Sequence, residues 1–167
     1  MRGPFFCVPL FSPYSPPMAY LYRGVSRRLD DELRGQLMPR GDKPAVAIRL
    51  DGKFKLDGTW TFGETLNNAA RAHRKESGLY GGSFVSFTRD VVEAHRFATS
   101  NFTEPGWVYV VDERLLEAAR VIAWEAEDAE WAGEQEVSLS SEDGTEIPQT
   151  VVVKKYPVDS RGTPISD

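Results

Sequence analysis

"MAYLYRGVSRRLDDELRGQL", residues 18–37, changes period part-way along, and that change sets the fold class. The apolar and aromatic run "MAYLYRG" reads as a strand. From Ser26 onward Leu29, Leu33 and Leu37 recur at i, i+4 and i+8, one face of a helix with Ser26 as its N-cap. An always-charged side chain, Arg23, stands where the strand gives out. Its neighbours leave two readings open: an ion pair with Asp30 or Asp31 on the following helix, or a guanidinium held out for a ligand.

Outward from that stretch the elements alternate in type. "AVAIRLDGKFKLDGTWTFG" carries two Asp-Gly turn signals between short β-prone runs, which predicts a hairpin or an irregular loop. Thr61 and Glu64 have capping-box spacing ahead of a second helix, "TLNNAARAHRKES", that Gly78 would end. A strand "GSFVSFT" and a helix "DVVEAHRFA" follow. Then come a strand "GWVYVV", a short helix "DERLLEAA" and a strand "RVIAW", with "GEQEVSL" and "IPQTVVVKKYPV" as two further strands. Strands dominate the second half and helices gather toward the first, so the expected class is α+β.

At 167 residues the chain is long enough for one domain with a real core. A formal net charge of -5 argues against coating nucleic acid or an anionic membrane by general electrostatics. Cys7 is the only cysteine, which excludes an internal disulfide and a thiolate metal cluster. His73 and His95 have no ligand-spaced companions, so no metal is expected. No stretch approaches the roughly 20 apolar residues of a membrane span. Residues 1–18 read as an extended proline-rich leader, 19–156 as a single domain and 157–167 as a polar tail. "YGGSF" lacks the lysine and the strand-to-helix setting of a P-loop or Rossmann turn.

Chemistry is concentrated in three places. Arg23 ends its strand. Ser86 and Thr88 are two apart on theirs and share a face, with Phe87 turned away. Glu134 and Glu136 are again two apart on a strand pattern. Taken singly, the hydroxyl pair is ordinary polar alternation and the glutamates a wet strand face. In order, "YRG", then "FVSFT" followed by an A-x-x-F-A helix, then "EQE", they resemble the Arg–Ser–Glu class of mono-ADP-ribosyltransferases, which includes the cholera-like and clostridial C2/C3-like toxins. The resemblance runs from about Tyr20 to Val153. The middle motif is S-F-T where that class has S-T-S, so a ring stands between the hydroxyl residues.

The resemblance implies an ADP-ribosyltransferase-like split β-sandwich, with NAD as substrate and no metal. Arg23, Ser86 and Thr88 would bind the dinucleotide, with Tyr80 and Phe84 as candidates to stack on nicotinamide beside Phe102 and Trp107. Glu136 would face the developing ribose cation and Glu134 would prepare the acceptor. Cleaving the bond from ribose to nicotinamide passes through an oxocarbenium-like species, as glycoside hydrolysis does. A carboxylate near that charge and a bidentate cation on the pyrophosphate are the residue types it requires. The implied acceptor is a macromolecule, protein arginine ahead of nucleic acid. The implied role is a bacterial or phage-related toxin or effector, cytoplasmic or delivered into a target-cell cytoplasm, with an antitoxin or immunity protein as a further partner. Two alternatives stand beside it: NAD hydrolysis or RNA 2′-phosphotransfer on the same scaffold, and a non-catalytic binding domain.

Overall fold

The computed structural model describes residues 20–40, 46–47, 64–65, 83–125 and 135–166. In chain order these form β1 (Tyr20–Ser26), α1 (Arg27–Glu32), β2 (Val46–Ala47), β3 (Glu64–Thr65), β4 (Val85–Thr88), α2 (Val91–Ala98), β5 (Gly106–Asp112), β6 (Val121–Glu125), β7 (Glu136–Ser141) and β8 (Val152–Val158). β2 pairs with β3, and the other strands make one antiparallel sheet of order β6-β7-β4-β1-β5-β8. The class is α+β, as the sequence predicts, and among the described residues both α-helices precede residue 100.

Strand alternation builds the main core on one face of that sheet. Leu21, Val25, Val85, Phe87, Val111, Val137 and Leu139 pack there in a single buried cluster. On the other face α2 sets Ala94 and Ala98 against Val108 and Val158, with Tyr22 and Tyr156 at the margin. That helix lies almost on the backbone of the sheet, because β1 and β5 present glycine to it. A Cβ on Gly24 would fall 1.9 Å from the Ala94 carbonyl oxygen, and one on Gly106 would fall 1.9 Å from that of Ala98. Asp90 caps α2, accepting from the Val92 amide at 2.8 Å.

The sheet is not equally continuous across its width. β1 pairs with β5 over its whole length, from Tyr20↔Asp112 to Ser26↔Gly106. With β4 it makes the single pair Tyr22↔Thr88, while β4 runs in full register with β7 from Val85↔Leu139 to Thr88↔Glu136. Among the described residues the sheet therefore divides into β6-β7-β4 and β1-β5-β8, splayed apart at the β4/β1 seam. This is the split that the resemblance implies.

Four local expectations are corrected. The first helix stops at Glu32 instead of reaching Leu37, because Arg34 and Gly35 take left-handed φ values of 54° and 74°. Leu37 then leaves the helical face and is buried beside Ile147, with which it forms an isolated bridge. Glu64 and Thr65 do not open a helix but pair with Ala47 and Val46; residues 66–82, where the rest of that helix was expected, lie outside the described residues. "DERLLEAA" yields only a 3-10 turn, Glu113–Leu115, with the Asp112 side chain accepting from the Arg114 amide at 3.0 Å. Lastly, Arg23 does not end its strand but sits at the middle of β1, opposite Tyr109. β8 runs to Val158, where the strand pattern of the sequence ends. Residues 159–166 then turn back, with the Asp159 amide on the Thr163 carbonyl at 2.9 Å and that of Ile165 on Pro157 at 3.0 Å.

Candidate active site

The seam opens into a cleft of about 350 Å³, within the range of small-molecule sites. Arg23 of β1, Ser86 and Thr88 of β4 and Glu136 of β7 all line it, together with Tyr22 and Phe84. Register explains the convergence. Tyr22, Thr88 and Glu136 form one row across β1, β4 and β7, so the first and last lie two strand spacings, about 10 Å, apart. Arg23 is next to Tyr22. Residues more than a hundred positions apart in the chain thus meet at the place where the sheet parts.

Arg23 crosses that gap: its Nη1 donates to the backbone carbonyl of Ser86 at 2.7 Å. Where a continuous sheet would join β1 and β4 by backbone bonds, a guanidinium does so here. Burial is the chief cause pulling its pKa from the ordinary value down to about 10, and the nearby Arg40 charge acts the same way. Glu136 and the Tyr109 hydroxyl oppose the shift, and Arg23 stays protonated at neutral pH. The expected alternative, an ion pair with Asp30 or Asp31, is not among the ion pairs of the described residues. Asp30 is taken by Lys155 Nζ at 2.7 Å and by the Tyr109 hydroxyl, both on strands at the far side of β1.

The other candidates fall out as follows. Phe87 is buried in the main core, on the opposite face from Ser86 and Thr88, so the bulky ring in S-F-T is accommodated without entering their row. Thr88 Oγ1 accepts from the Asp90 amide at 3.0 Å, which ties the end of β4 to the cap of α2. Phe84 is 1% exposed and lines the cleft. Phe102 and Trp107 do not line it; Trp107 packs beside the main core beneath Lys155, whose Nζ is 4.6 Å from the ring centroid. Tyr80 and Glu134 lie outside the described residues. β7 begins at Glu136, after Gln135 with φ 45°.

Sequence reasoning missed Tyr22, Met38, Arg40 and Phe97 as lining residues. Tyr22 had a signal, the alternation that turns it to the opposite face from Leu21 and Val25; Phe97 stands in the quoted A-x-x-F-A pattern, half exposed on α2. Met38 and Arg40 had none, because they reach the cleft only through the left-handed turn after α1.

Residues 20–139 match the family model NarE, a span that runs from the start of β1 into β7 and encloses Arg23, Ser86, Thr88 and Glu136. No curated protein sequence matches significantly. Solved structures similar to the chain include a double mutant of heat-labile enterotoxin, at 23% identity and TM-score 0.45, with 87% of this chain covered. Another is a buried-residue mutant of the E. coli heat-labile enterotoxin, at 23% identity and TM-score 0.48, with 88% of this chain and 72% of that one covered. The chain spans 59% of the length of the first of these.

Proposed function

The chain belongs to the NarE family, ADP-ribosyltransferases of the cholera-like toxin class, and we propose that it transfers ADP-ribose from NAD to a macromolecular acceptor, protein arginine ahead of nucleic acid. The observation that carries this reading is the meeting of Arg23, Ser86, Thr88 and Glu136 in one cleft at the β4/β1 seam. A guanidinium at one side and a carboxylate at the other suit a substrate with a pyrophosphate and a ribose that becomes cationic.

In this reading Arg23 grips the pyrophosphate, which a planar fork does better than a lysine. Partial burial strengthens that grip, because a charge partly kept from water interacts more strongly with a ligand charge. Glu136 faces the anomeric carbon and stabilises the positive charge that grows there as the carbon–nitrogen bond to nicotinamide breaks. The bonding pair leaves with nicotinamide, which departs neutral and needs no general acid. The acceptor nitrogen then bonds to the same carbon and loses a proton to a carboxylate base, the part assigned to Glu134. Ser86 and Thr88 hold the strand beside Glu136, and Phe84 offers an aromatic wall for nicotinamide. A toxin-like or effector role follows from the class.

The test is incubation of the protein with NAD labelled in the adenylate and a cell lysate, followed by separate protease and nuclease digestion. Label that enters macromolecules and is freed by protease supports transfer to protein; label freed by nuclease keeps the reaction and changes the acceptor. Absence of both label transfer and nicotinamide release overturns the reading.

A further inference from the structure

Tyr109 and Asp30 are buried polar residues that stand behind the cleft without lining it. Tyr109 is opposite Arg23 in the β1/β5 register, so the two side chains share one face of the sheet. Its hydroxyl has one proton and two acceptors within reach, the Asp30 carboxylate and the Gly35 carbonyl, the latter at 3.2 Å. Burial, first, and the bond to Asp30 hold that proton in place, so the hydroxyl acts as a donor. Asp30 is held from two further sides: Lys155 Nζ donates to its other carboxylate oxygen at 2.7 Å, and its backbone carbonyl accepts from the Gly35 amide at 2.9 Å. The exposed Gln149 side chain gives the Gly35 carbonyl a second donor at 3.2 Å. These bonds enclose the left-handed turn at Gly35, where a Cβ would stand 3.6 Å from both the Tyr109 hydroxyl and Lys155 Nζ. Beyond the turn the Leu37 carbonyl accepts from the Ile147 amide at 2.9 Å, and Met38 and Arg40 then line the cleft.

We infer that Tyr109 is a positioning residue: its hydroxyl, with Gln149 on the same carbonyl, clasps the turn at Gly35 and so holds the Met38 and Arg40 wall of the cleft in place beside Arg23. Residues 36–40 are irregular chain with an isolated bridge at Leu37, so little of their own backbone bonding fixes that wall. The clasp comes from β5, which pairs along the whole of β1, and it joins the wall and Arg23 into one body. A wall ordered before the ligand arrives lowers the ordering cost of binding. Once loosened, it must be ordered by the ligand, and affinity falls while the chemical step, assigned to Glu136, keeps its rate. The inference rests on the NAD reading above and adds to it a residue that acts through the wall and not on the substrate.

The test compares the wild type with Tyr109→Phe and Gln149→Ala by calorimetric titration with NAD, nicotinamide release at saturating NAD, and amide hydrogen exchange. The phenyl ring keeps the core filled, and loss of the hydroxyl should weaken NAD about 10-fold. Nicotinamide release at saturation should stay within about twofold of wild type, a split that a general loss of stability would not give. Gln149→Ala, which removes an exposed donor from the same carbonyl, should weaken NAD about threefold. In both variants the amides of Gly35 and Ile147 should exchange faster, while that of Ala94, bonded to the Asp90 carbonyl in α2, keeps its rate. Unchanged NAD affinity in both variants overturns the inference, whatever their melting temperatures, and leaves the transferase reading standing. Weaker NAD binding without faster exchange at Gly35 and Ile147 also overturns it, because the wall would not have loosened. Lost nicotinamide release with normal NAD affinity overturns it too, and moves Tyr109 to the chemical step. If Tyr109→Phe does not fold, Gln149→Ala decides by the same two readouts. A wild type that binds NAD but releases no nicotinamide sinks the reaction, and the inference is then decided by the affinities; a wild type that binds no NAD overturns both.

Discussion

Arg23, at the middle of β1, and Arg89, just past the end of β4, are the same side chain, and the protein treats them in opposite ways. Arg89, just past β4, reaches both carboxylate oxygens of Glu113, at 2.9 and 2.7 Å, and also bonds Glu125. Those contacts, that with Glu113 first, hold its proton more firmly than an ordinary guanidinium does. Its amide adds a bond to the Gln135 carbonyl at 3.1 Å, so one residue ties the end of β4 to the segments after β5, in β6 and before β7. Arg23 is half-buried, loses proton affinity chiefly to desolvation, and has a backbone carbonyl for its hydrogen-bond partner. An arginine supplied with more acid than it needs is a brace. The one we propose as the receptor for an anion stands where the sheet comes apart, with a backbone carbonyl as its bonded partner.

The comparison can be broken first at its foundation. Beside the seam α2 is pressed onto β1 and β5, so Gly24→Ala should be the most damaging change to the fold. A Cβ 1.9 Å from a backbone oxygen cannot be relieved by a side-chain movement, and the cost should be about 3 kcal/mol or more. A melting temperature equal to wild type would show that α2 is not held where the structure has it. Gly24 also explains the last letter of "YRG". The motif was readable as a signal, yet the reason for its glycine was not, because a close approach between elements some seventy residues apart leaves no trace in local pattern.

Next in size is Glu136→Gln, nearly isosteric on the half-buried first position of β7. Removing a well-placed electrostatic group costs about 10²- to 10³-fold in rate. Nicotinamide release and label transfer should fall together, because the charge on the ribose develops whatever the acceptor, while NAD affinity and folding stay close to wild type. Loss of transfer with normal nicotinamide release would move Glu136 to the acceptor side.

The smallest effect belongs to the brace. Arg89→Ala removes a partly exposed network, with side chains 32%, 19% and 60% accessible, so solvent screening limits the loss to about 1 kcal/mol. Thermal denaturation should show that drop, and NAD affinity should not change, since the bond from its amide to Gln135 survives. A large loss of affinity would make the brace part of the site.

What the sequence made legible follows the range of the interactions involved. Strand alternation placed Ser86 and Thr88 together and Phe87 in the core, and both hold. The order of the three motifs brought Arg23 and Glu136 to one cleft before any pairing was known. Apolar period alone, however, overran the first helix by five residues, because Leu33 and Leu37 keep helical spacing while Arg34 and Gly35 turn the chain. The same turn carries Arg40 into the cleft, so the error in the helix and the failure to see Arg40 have one cause.

The central claim is that Arg23 serves a ligand and Arg89 serves the fold. Arg23→Lys and Arg89→Lys, titrated with NAD and melted side by side, test it most directly. Lysine keeps the charge at both places and can still bond one carbonyl or one carboxylate, but it loses the fork. The account predicts that Arg23→Lys binds NAD about 10- to 100-fold more weakly with its melting temperature almost unmoved, and that Arg89→Lys binds NAD normally while melting earlier. An Arg23→Lys protein that melts early and binds NAD as tightly as wild type would contradict it.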